Sequence, residues 1–388
     1  MADSTERNQR RIYMDNGATS FPKAPGLGKE VADYIEHDCV NINRTESPLV
    51  MKSFDFLFSL REQLCRLYNY RHPECVIFTK NDTEGLNWLI KGMFNKKDHV
   101  IVTSLEHNAV MRPLVQLGIP FSRIPCDEYG YCRIDEVESL IRPETKAFVI
   151  NAVSNVFGTV QDLKALSDIA FRHGLMFMVD TAQASPYVDV DMEKLHATAV
   201  TFAGHKGLLG PQGTGGFIIR REYADRLEPL IAGGTGSRSD SEILPPELPD
   251  RFTSGTENLP GLKGLSFSVD YVMENLPELR RALEHNTALL FKGLASIPHI
   301  RIVGPGLSMP RTGVFSIVPD CVDAADLAAY LSNQGIETRV GMHCAPSAHK
   351  AMGTFPTGTL RLSPGPFTTE KEITTTLECI RAFMSSNQ

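Results

Sequence analysis

The apolar positions along this chain change rhythm twice. Over residues 29–35 and 54–68 they recur three and four apart, which predicts two amphipathic helices after a short extended segment at 11–19. From residue 75 onward, bursts of strand length take over, at 75–79, 99–103, 147–152, 175–179, 199–202 and 216–220. Helix-like stretches such as 84–94 and 163–173 lie between them. Strands alternating with helices predict a largely parallel sheet covered by helices on both faces. A loop-rich stretch at 233–258 closes that unit, and a long amphipathic run at 262–294 bridges to a smaller one. The smaller unit reads as a strand at 312–318, a helix at 324–334, a strand at 359–363 and a last helix. That helix opens on Thr369-Glu370-Lys371-Glu372, a capping-box spacing.

At 388 residues the chain suits two domains packed together. Its 42% hydrophobic and 22% charged content is that of an ordinary globular protein, and a net charge of -7 argues against nucleic acid or an anionic membrane as partner. The polar start Met1-Ala2-Asp3-Ser4 has the character of no secretory signal, and no apolar run reaches spanning length. Eight cysteines with no CxxC are expected to be reduced thiols in a cytoplasmic setting.

The stretch Thr201-Phe202-Ala203-Gly204-His205-Lys206-Gly207 presents one lysine in a small-residue turn between two apolar strands. Close packing there lowers a lysine's pKa, and a neutral amine condenses with an aldehyde, so Lys206 is a Schiff-base candidate. The alternative is a lysine that caps a tight turn. Asp180, in Val179-Asp180-Thr181-Ala182-Gln183, ends a buried strand where open α/β sheets bind ligands. It is either a helix N-cap or the carboxylate that keeps a pyridine ring protonated. The turn Asn81-Asp82-Thr83-Glu84-Gly85 starts a helix, a place for a phosphate or only for caps. His107, in Glu106-His107-Asn108, is a loop histidine or one that stacks on a flat ring. In Arg339-Val340-Gly341-Met342-His343-Cys344, the cysteine is a thiolate nucleophile among positive neighbours or a small buried hydrophobe. Arg361, after the glycine turn at Gly358, is placed to hold a carboxylate. The spacing of His343, Cys344 and His349 matches no common zinc pattern, so no metal site is expected. The chain also lacks GxxxxGK(S/T), HExxH, GxSxG and a post-strand GxGxxG.

Taken together and in this order, these motifs resemble those of the class V aminotransferase fold of pyridoxal phosphate enzymes, in its type II cysteine desulfurase and selenocysteine lyase branch. The resemblance runs from Tyr13 to about Phe383. It implies an α/β fold, with a large domain built on a mostly parallel seven-stranded sheet and a smaller α+β C-terminal domain. The bounds it implies are an arm at 1–15 packing with the small domain, a cofactor domain at 16–262 and a small domain at 263–388. It implies that Lys206 holds pyridoxal 5'-phosphate covalently and that Asp180 faces the ring nitrogen. Gln183 is expected at the phenolic oxygen, His107 stacked on the ring and Asn155 beside it. Thr83, with Glu84 next to it, and His205 are expected at the phosphate. Thr256, in Gly255-Thr256-Glu257-Asn258, is expected to reach the phosphate of a partner subunit, hence a homodimer. Arg339, Arg361, Arg44 and Asn155 are the implied substrate contacts, and Lys206, Cys344 and His107, the last as a proton carrier, the implied catalytic residues.

The implied reaction removes sulfur from L-cysteine, giving alanine and a persulfide on Cys344 for transfer to an acceptor protein. A selenocysteine lyase, a C–S lyase on a modified cysteine, and a catalytically silent sulfur-carrier scaffold are the rival expectations. Four departures from the family pattern stand out: Ala203 for a Ser or Thr, Met342 for a histidine, Glu257 for a proline, and an altered segment at 43–46. The missing hydroxyl at Ala203 costs about 1.5–3 kcal/mol of phosphate binding unless water or Thr214 replaces it.

Overall fold

The computed structural model describes residues 11–42 and 47–387. The chain enters through a short strand β1 (Ile12–Tyr13) and two helices, α1 (Leu27–His37) and α2 (Pro48–Leu67). Helix α2 begins where the Ser47 hydroxyl accepts the Val50 amide and Pro48 takes the first helical position, which needs no N–H. Strands and helices then alternate: β2 (Val76–Thr79), α3 (Asp82–Met93), β3 (His99–Thr103), α4 (Asn108–Leu117), β4 (Phe121–Ile124), β5 (Thr145–Asn151), α5 (Leu163–Arg172), β6 (Met176–Asp180), β7 (Ala199–Ala203), β8 (Gly215–Ile219) and the single turn α6 (Arg221–Ala224). The seven strands β2 to β8 form one sheet in the order β2-β8-β7-β6-β5-β3-β4. Strand β8 runs antiparallel to both neighbours, and the other pairs are parallel.

Alternate side chains feed opposite layers, as the pleat requires. Ile101, Phe177 and Val179 pack on one face with Leu60 and Phe202, whereas Val100, Val102, Met176 and Met178 pack on the other with Trp88 and Phe217.

Helix α7 (Leu259–Ala295) runs for 37 residues, about 55 Å, out of the large sheet and into the second unit. There β9 (Ile300–Val303), β10 (Phe315–Pro319), α8 (Ala324–Asn333), β11 (Ile336–Glu337), β12 (Arg339–Gly341), α9 (Pro346–Ala351), β13 (Thr359–Leu362) and α10 (Glu370–Ser386) follow. Strands β12-β13-β10-β9 make an antiparallel sheet. The N-terminal β1 pairs with β11, and Ile12 and Met14 join the core of this unit with Leu290, Phe315 and Leu377. Thr369 and Glu372 form the capping box at the start of α10.

The apolar pattern located the sheet strands except β4, whose Phe-Ser-Arg-Ile sequence at a sheet edge has no apolar burst. It also did not mark α4, β9, β11 or β12.

The carboxyl ends of β5, β6 and β7 and the amino end of α3 converge on one crevice. Gly215 permits this approach: a Cβ there would lie 2.7 Å from the Asn81 carbonyl carbon and 2.8 Å from the Asp82 nitrogen. Backbone cannot yield as a side chain does. Gly215→Ala is therefore expected to lower the free energy of unfolding by about 1–3 kcal/mol, read by urea denaturation. An unchanged midpoint would show that α3 is not seated on this glycine.

Candidate active site

Lys206 lies in the turn that leaves β7. The next residue, Gly207, presses so closely on the Ser185 carbonyl that a side chain there would overlap it. The turn thus lies flat on the loop after β6 and aims the lysine into the crevice. Burial lowers the pKa of the amine below its ordinary value, and Arg361 and Arg339 push the same way. The carboxyls of Asp180 and Asp82 work against them.

A cavity of about 470 Å³ opens around that amine, lined by Lys206, Asp180, Gln183, His107, Asn155 and Thr83 among others. Asp180 is in register with Asn151 on β5 and Thr201 on β7, and one of its oxygens accepts the Ala182 amide at 2.9 Å. Burial raises its pKa. His107 is the N-cap of α4: its Nδ1 accepts the Ala109 amide at 3.1 Å, which places the ring proton on Nε2. Burial, then Lys206 and Arg339, lower its pKa to about 4, so the ring is neutral at physiological pH. His205 is likewise lowered to about 4, by burial first, with Nδ1 3.0 Å from the Thr19 hydroxyl. Gln183 donates to the Gly17 carbonyl at 2.8 Å, which ties the N-terminal loop to the crevice.

One expected residue points elsewhere. Glu84 accepts the Lys80 amide at 2.6 Å, so its carboxylate closes the start of its own helix. With Thr256 it lines a separate cavity of about 750 Å³. Arg44 falls outside the described residues.

Asp82 is the residue that sequence reasoning passed over. Asn81 caps α3 by accepting the Glu84 amide at 2.9 Å, which leaves Asp82 to turn inward at the first helical position. It is buried, one of its oxygens has no partner, and its pKa is raised to about 8, by burial first and then by Asp180. The signal was the asparagine one residue earlier, which already served as the cap. Glu106 is a second buried carboxyl, also raised to about 8, that accepts the Asn151 amide at 2.9 Å and braces the end of β5.

The small unit brings two arginines whose charges act on Lys206. Arg339 and Arg361 are directly opposed across β12 and β13, so two guanidinium groups share one face. Arg361 is buried: Nη2 pairs with Asp15 at 2.5 Å, Nη1 donates to the Asn155 carbonyl at 3.0 Å, and Nε has no partner. Arg339 Nη2 lies 3.6 Å from Cys344 Sγ. The thiol is exposed, unlike a buried structural cysteine. His343 and Cys344 both adopt left-handed backbone, φ 46° and 60°. Two bonds hold them there: Asn155 Nδ2 donates to the His343 carbonyl at 2.7 Å, and the Asn108 amide to the Cys344 carbonyl at 2.8 Å. The residues flanking the lysine cavity therefore also fix the cysteine turn.

Asp82 and the unpartnered Asn155 oxygen, both lining the cavity, mark this crevice as built for a polar ligand. A protonated ring nitrogen at Asp180, an aldehyde at Lys206 and an anion at the open amides of α3 match its chemistry. Ala203 contributes no hydroxyl, and Thr214 does not replace it, because its hydroxyl donates to the Pro211 carbonyl at 2.7 Å.

The family model for class V aminotransferases matches residues 12–375, and the chain belongs to that family. Its fold is that of the pyridoxal-phosphate-dependent enzymes of this class. Among its relatives, a probable cysteine desulfurase of Methanothermobacter thermautotrophicus is 31% identical, over 93% of this chain and 92% of the relative. A cysteine desulfurase of Klebsiella pneumoniae is 30% identical, over 87% and 85%. The structure of an apo cysteine desulfurase from Thermococcus onnurineus superposes with a TM-score of 0.89 at 29% identity, covering 97% of this chain and 95% of that one.

The raised Asp82 carboxyl links stability to pH. Its folded pKa of about 8 exceeds the ordinary 3.8, so its contribution is full below the ordinary value and is lost as pH rises through 8. Asp82→Asn removes that loss. The stability of the variant relative to wild type, both without cofactor, is expected to rise steadily between pH 4 and pH 8 in parallel denaturation series. A flat difference would show that Asp82 ionises freely.

Proposed function

We propose that this protein is a pyridoxal-phosphate-dependent cysteine desulfurase that converts L-cysteine to L-alanine and leaves a persulfide on Cys344. The observation that carries this reading is one side chain, Asn155, which lines the cavity of the enclosed Lys206 amine and holds the turn of the exposed Cys344 thiol. The family and the cysteine desulfurases among its relatives support it.

Bound pyridoxal phosphate supplies an electron sink conjugated to the substrate's nitrogen. The chain's own residues do the rest. Lys206 is the amine that holds the cofactor, and a lowered pKa keeps it nucleophilic and able to take a proton at Nζ from the substrate's Cα. Asp180 would hold the ring nitrogen and favour its protonated form. Thr83, His205 and the amides at the start of α3 would hold the phosphate, Gln183 the phenolic oxygen, and His107 the ring.

Arg339, with the unpartnered Nε of Arg361, binds the substrate carboxylate. Asp15 already occupies one edge of the Arg361 fork and fixes its orientation. Cys344 as thiolate attacks the substrate sulfur. The new S–S bond forms as the Cβ–S bond breaks, the electron pair stays with carbon, and a proton delivered to Cβ, with the return of a proton from Lys206 Nζ to Cα, completes alanine. His107, whose Nε2 carries its proton, is positioned for proton traffic on this face.

The reading adds a homodimer, in which Thr256 serves the partner's phosphate site, a cytoplasmic setting and a protein acceptor that meets the exposed Cys344.

Cys344→Ser is expected to keep the yellow, borohydride-bleachable chromophore and lose sulfide and alanine production from cysteine. Wild-type turnover by that variant would overturn the persulfide role, and turnover confined to selenocysteine would make the enzyme a selenocysteine lyase. Lys206→Ala should give no borohydride-fixed cofactor. Arg339→Gln should raise the KM for cysteine about 10- to 100-fold, the loss of one charged hydrogen bond, in steady-state assays.

A further inference from the structure

Outside the crevice, residues 125–133 fold back on themselves. The Asp127 amide donates to the Tyr131 carbonyl and the Arg133 amide to the Pro125 carbonyl, each at 2.9 Å. Between these bonds Cys126 and Cys132 face each other as an isolated antiparallel bridge. Hydrogen bonds on either side of the pair, and none within it, define the non-hydrogen-bonded type of antiparallel position. That type brings Cα atoms closest, about 4.5 Å apart, with both side chains on one face. A disulfide spans Cα separations of about 4.4–6.8 Å. Both residues are thiols here, Cys132 buried and Cys126 half-buried.

The hairpin supports the site from behind. The Cys132 amide donates to Gln161 Oε1 at 3.0 Å, and Gln161 Nε2 donates to the Gly130 carbonyl at 2.9 Å. Thr159 Oγ1 donates to the Tyr129 carbonyl at 2.8 Å. Thr159 in turn closes the tight turn that carries Asn155: its carbonyl accepts the Ser154 amide, and the Ser154 carbonyl accepts the Gly158 amide, both at 3.0 Å. Cys126 packs against Leu105, Phe157 and Ala345, the cluster between that turn and the residue after Cys344.

We propose that Cys126 and Cys132 form a reversible disulfide, a modification site separate from Cys344, and that its formation stiffens the seat of Asn155. The oxidant is a low-molecular-weight disulfide. One protein thiolate attacks a sulfur of the reagent and expels one thiol. The second protein thiolate then attacks the mixed disulfide and expels the other, so two protein thiols become one disulfide as one reagent disulfide becomes two thiols.

Burial raises both protein thiols. Asp127 raises Cys126 further while Arg133 opposes it, and Glu106, Cys126 and Asp127 add to the rise at Cys132. The exchange therefore starts at the half-buried Cys126 and is slow at neutral pH. This inference does not depend on the reaction assigned to Lys206 and Cys344.

Both cysteines lie in one tryptic peptide, residues 124–133. The purified full chain is equilibrated with graded glutathione/glutathione disulfide mixtures, alkylated and mapped by mass spectrometry. The expected result is a peptide that loses both alkylation sites together and becomes lighter by two hydrogen atoms. In that oxidised form, hydrogen exchange at the Gly158 amide should slow about tenfold. Two thiols that stay alkylatable at every ratio would overturn the disulfide, as would an end state of glutathione mixed disulfide at Cys126. Unchanged exchange at Gly158 in the oxidised protein would overturn the stiffening. Cys126→Ser, at the more accessible position, is expected to abolish the paired loss and leave Cys132 alkylatable in the unfolded digest.

Discussion

The enclosed amine of Lys206 is the group whose environment the rest of the site must satisfy. A buried ammonium is costly unless paired, and here two carboxyls and two guanidinium groups surround it with opposite effects. Burial leads, and the pKa of the amine falls. Asp180 and Asp82 sit on the sheet side, at the end of β6 and the start of α3, while Arg339 and Arg361 come from the second unit. The carboxyls oppose the fall and the guanidinium groups reinforce it, so both units act on the charge of the lysine.

The opposed arginines of β12 and β13 make the same point from the other side. Like charges directly across an antiparallel pair destabilise a sheet. Asp15, carried in just after β1 by its pairing with β11, compensates one of them, and the Arg361 guanidinium also anchors to the Asn155 carbonyl. Among the described residues the second arginine forms no ion pair with an acid; its near neighbour is the thiol of Cys344. A cation placed beside a sulfur suits an anionic group, and the sheet bears the cost of keeping it.

What the sequence made legible follows from how each residue is displayed. Lys206 and Asp180 stand at strand ends next to small residues, where a period-two burst stops and a ligand edge begins, and both are where that pattern placed them. The two-unit α/β architecture was legible for the same reason. Asp82 was hidden because capping residues come in clusters: only the geometry tells that Asn81 caps and its neighbour turns inward. Glu84 shares that ambiguity, since a glutamate after a strand serves equally to close its own helix, as its bond to the Lys80 amide does, or to face a ligand. The opposition of Arg339 and Arg361 was invisible, because twenty-odd residues separate them in the chain and register is a tertiary property. The edge strand β4 carries a serine and an arginine because one side of it meets solvent, and its pattern is correspondingly weak.

The amine and the thiol make opposite demands on the protein, and their separation onto two units answers both. An amine that exchanges protons with carbon works best where water is excluded and its pKa is low. A thiol that is to meet another molecule works only at the surface, and Cys344 is exposed. Its turn holds two consecutive non-glycine residues at positive φ, a conformation that costs of order 1–3 kcal/mol for each residue. Nothing in a four-strand antiparallel sheet requires such a turn. It persists because Asn155 and Asn108, both from the large unit, bind its two carbonyls, and because His343 Nε2 lies 3.1 Å from the Thr359 carbonyl beneath it. The strain thus keeps the turn bound to the large unit while its sulfur stays exposed beside Arg339. A relaxed turn would save that strain and give up the two bonds that tie His343 and Cys344 to Asn155 and Asn108.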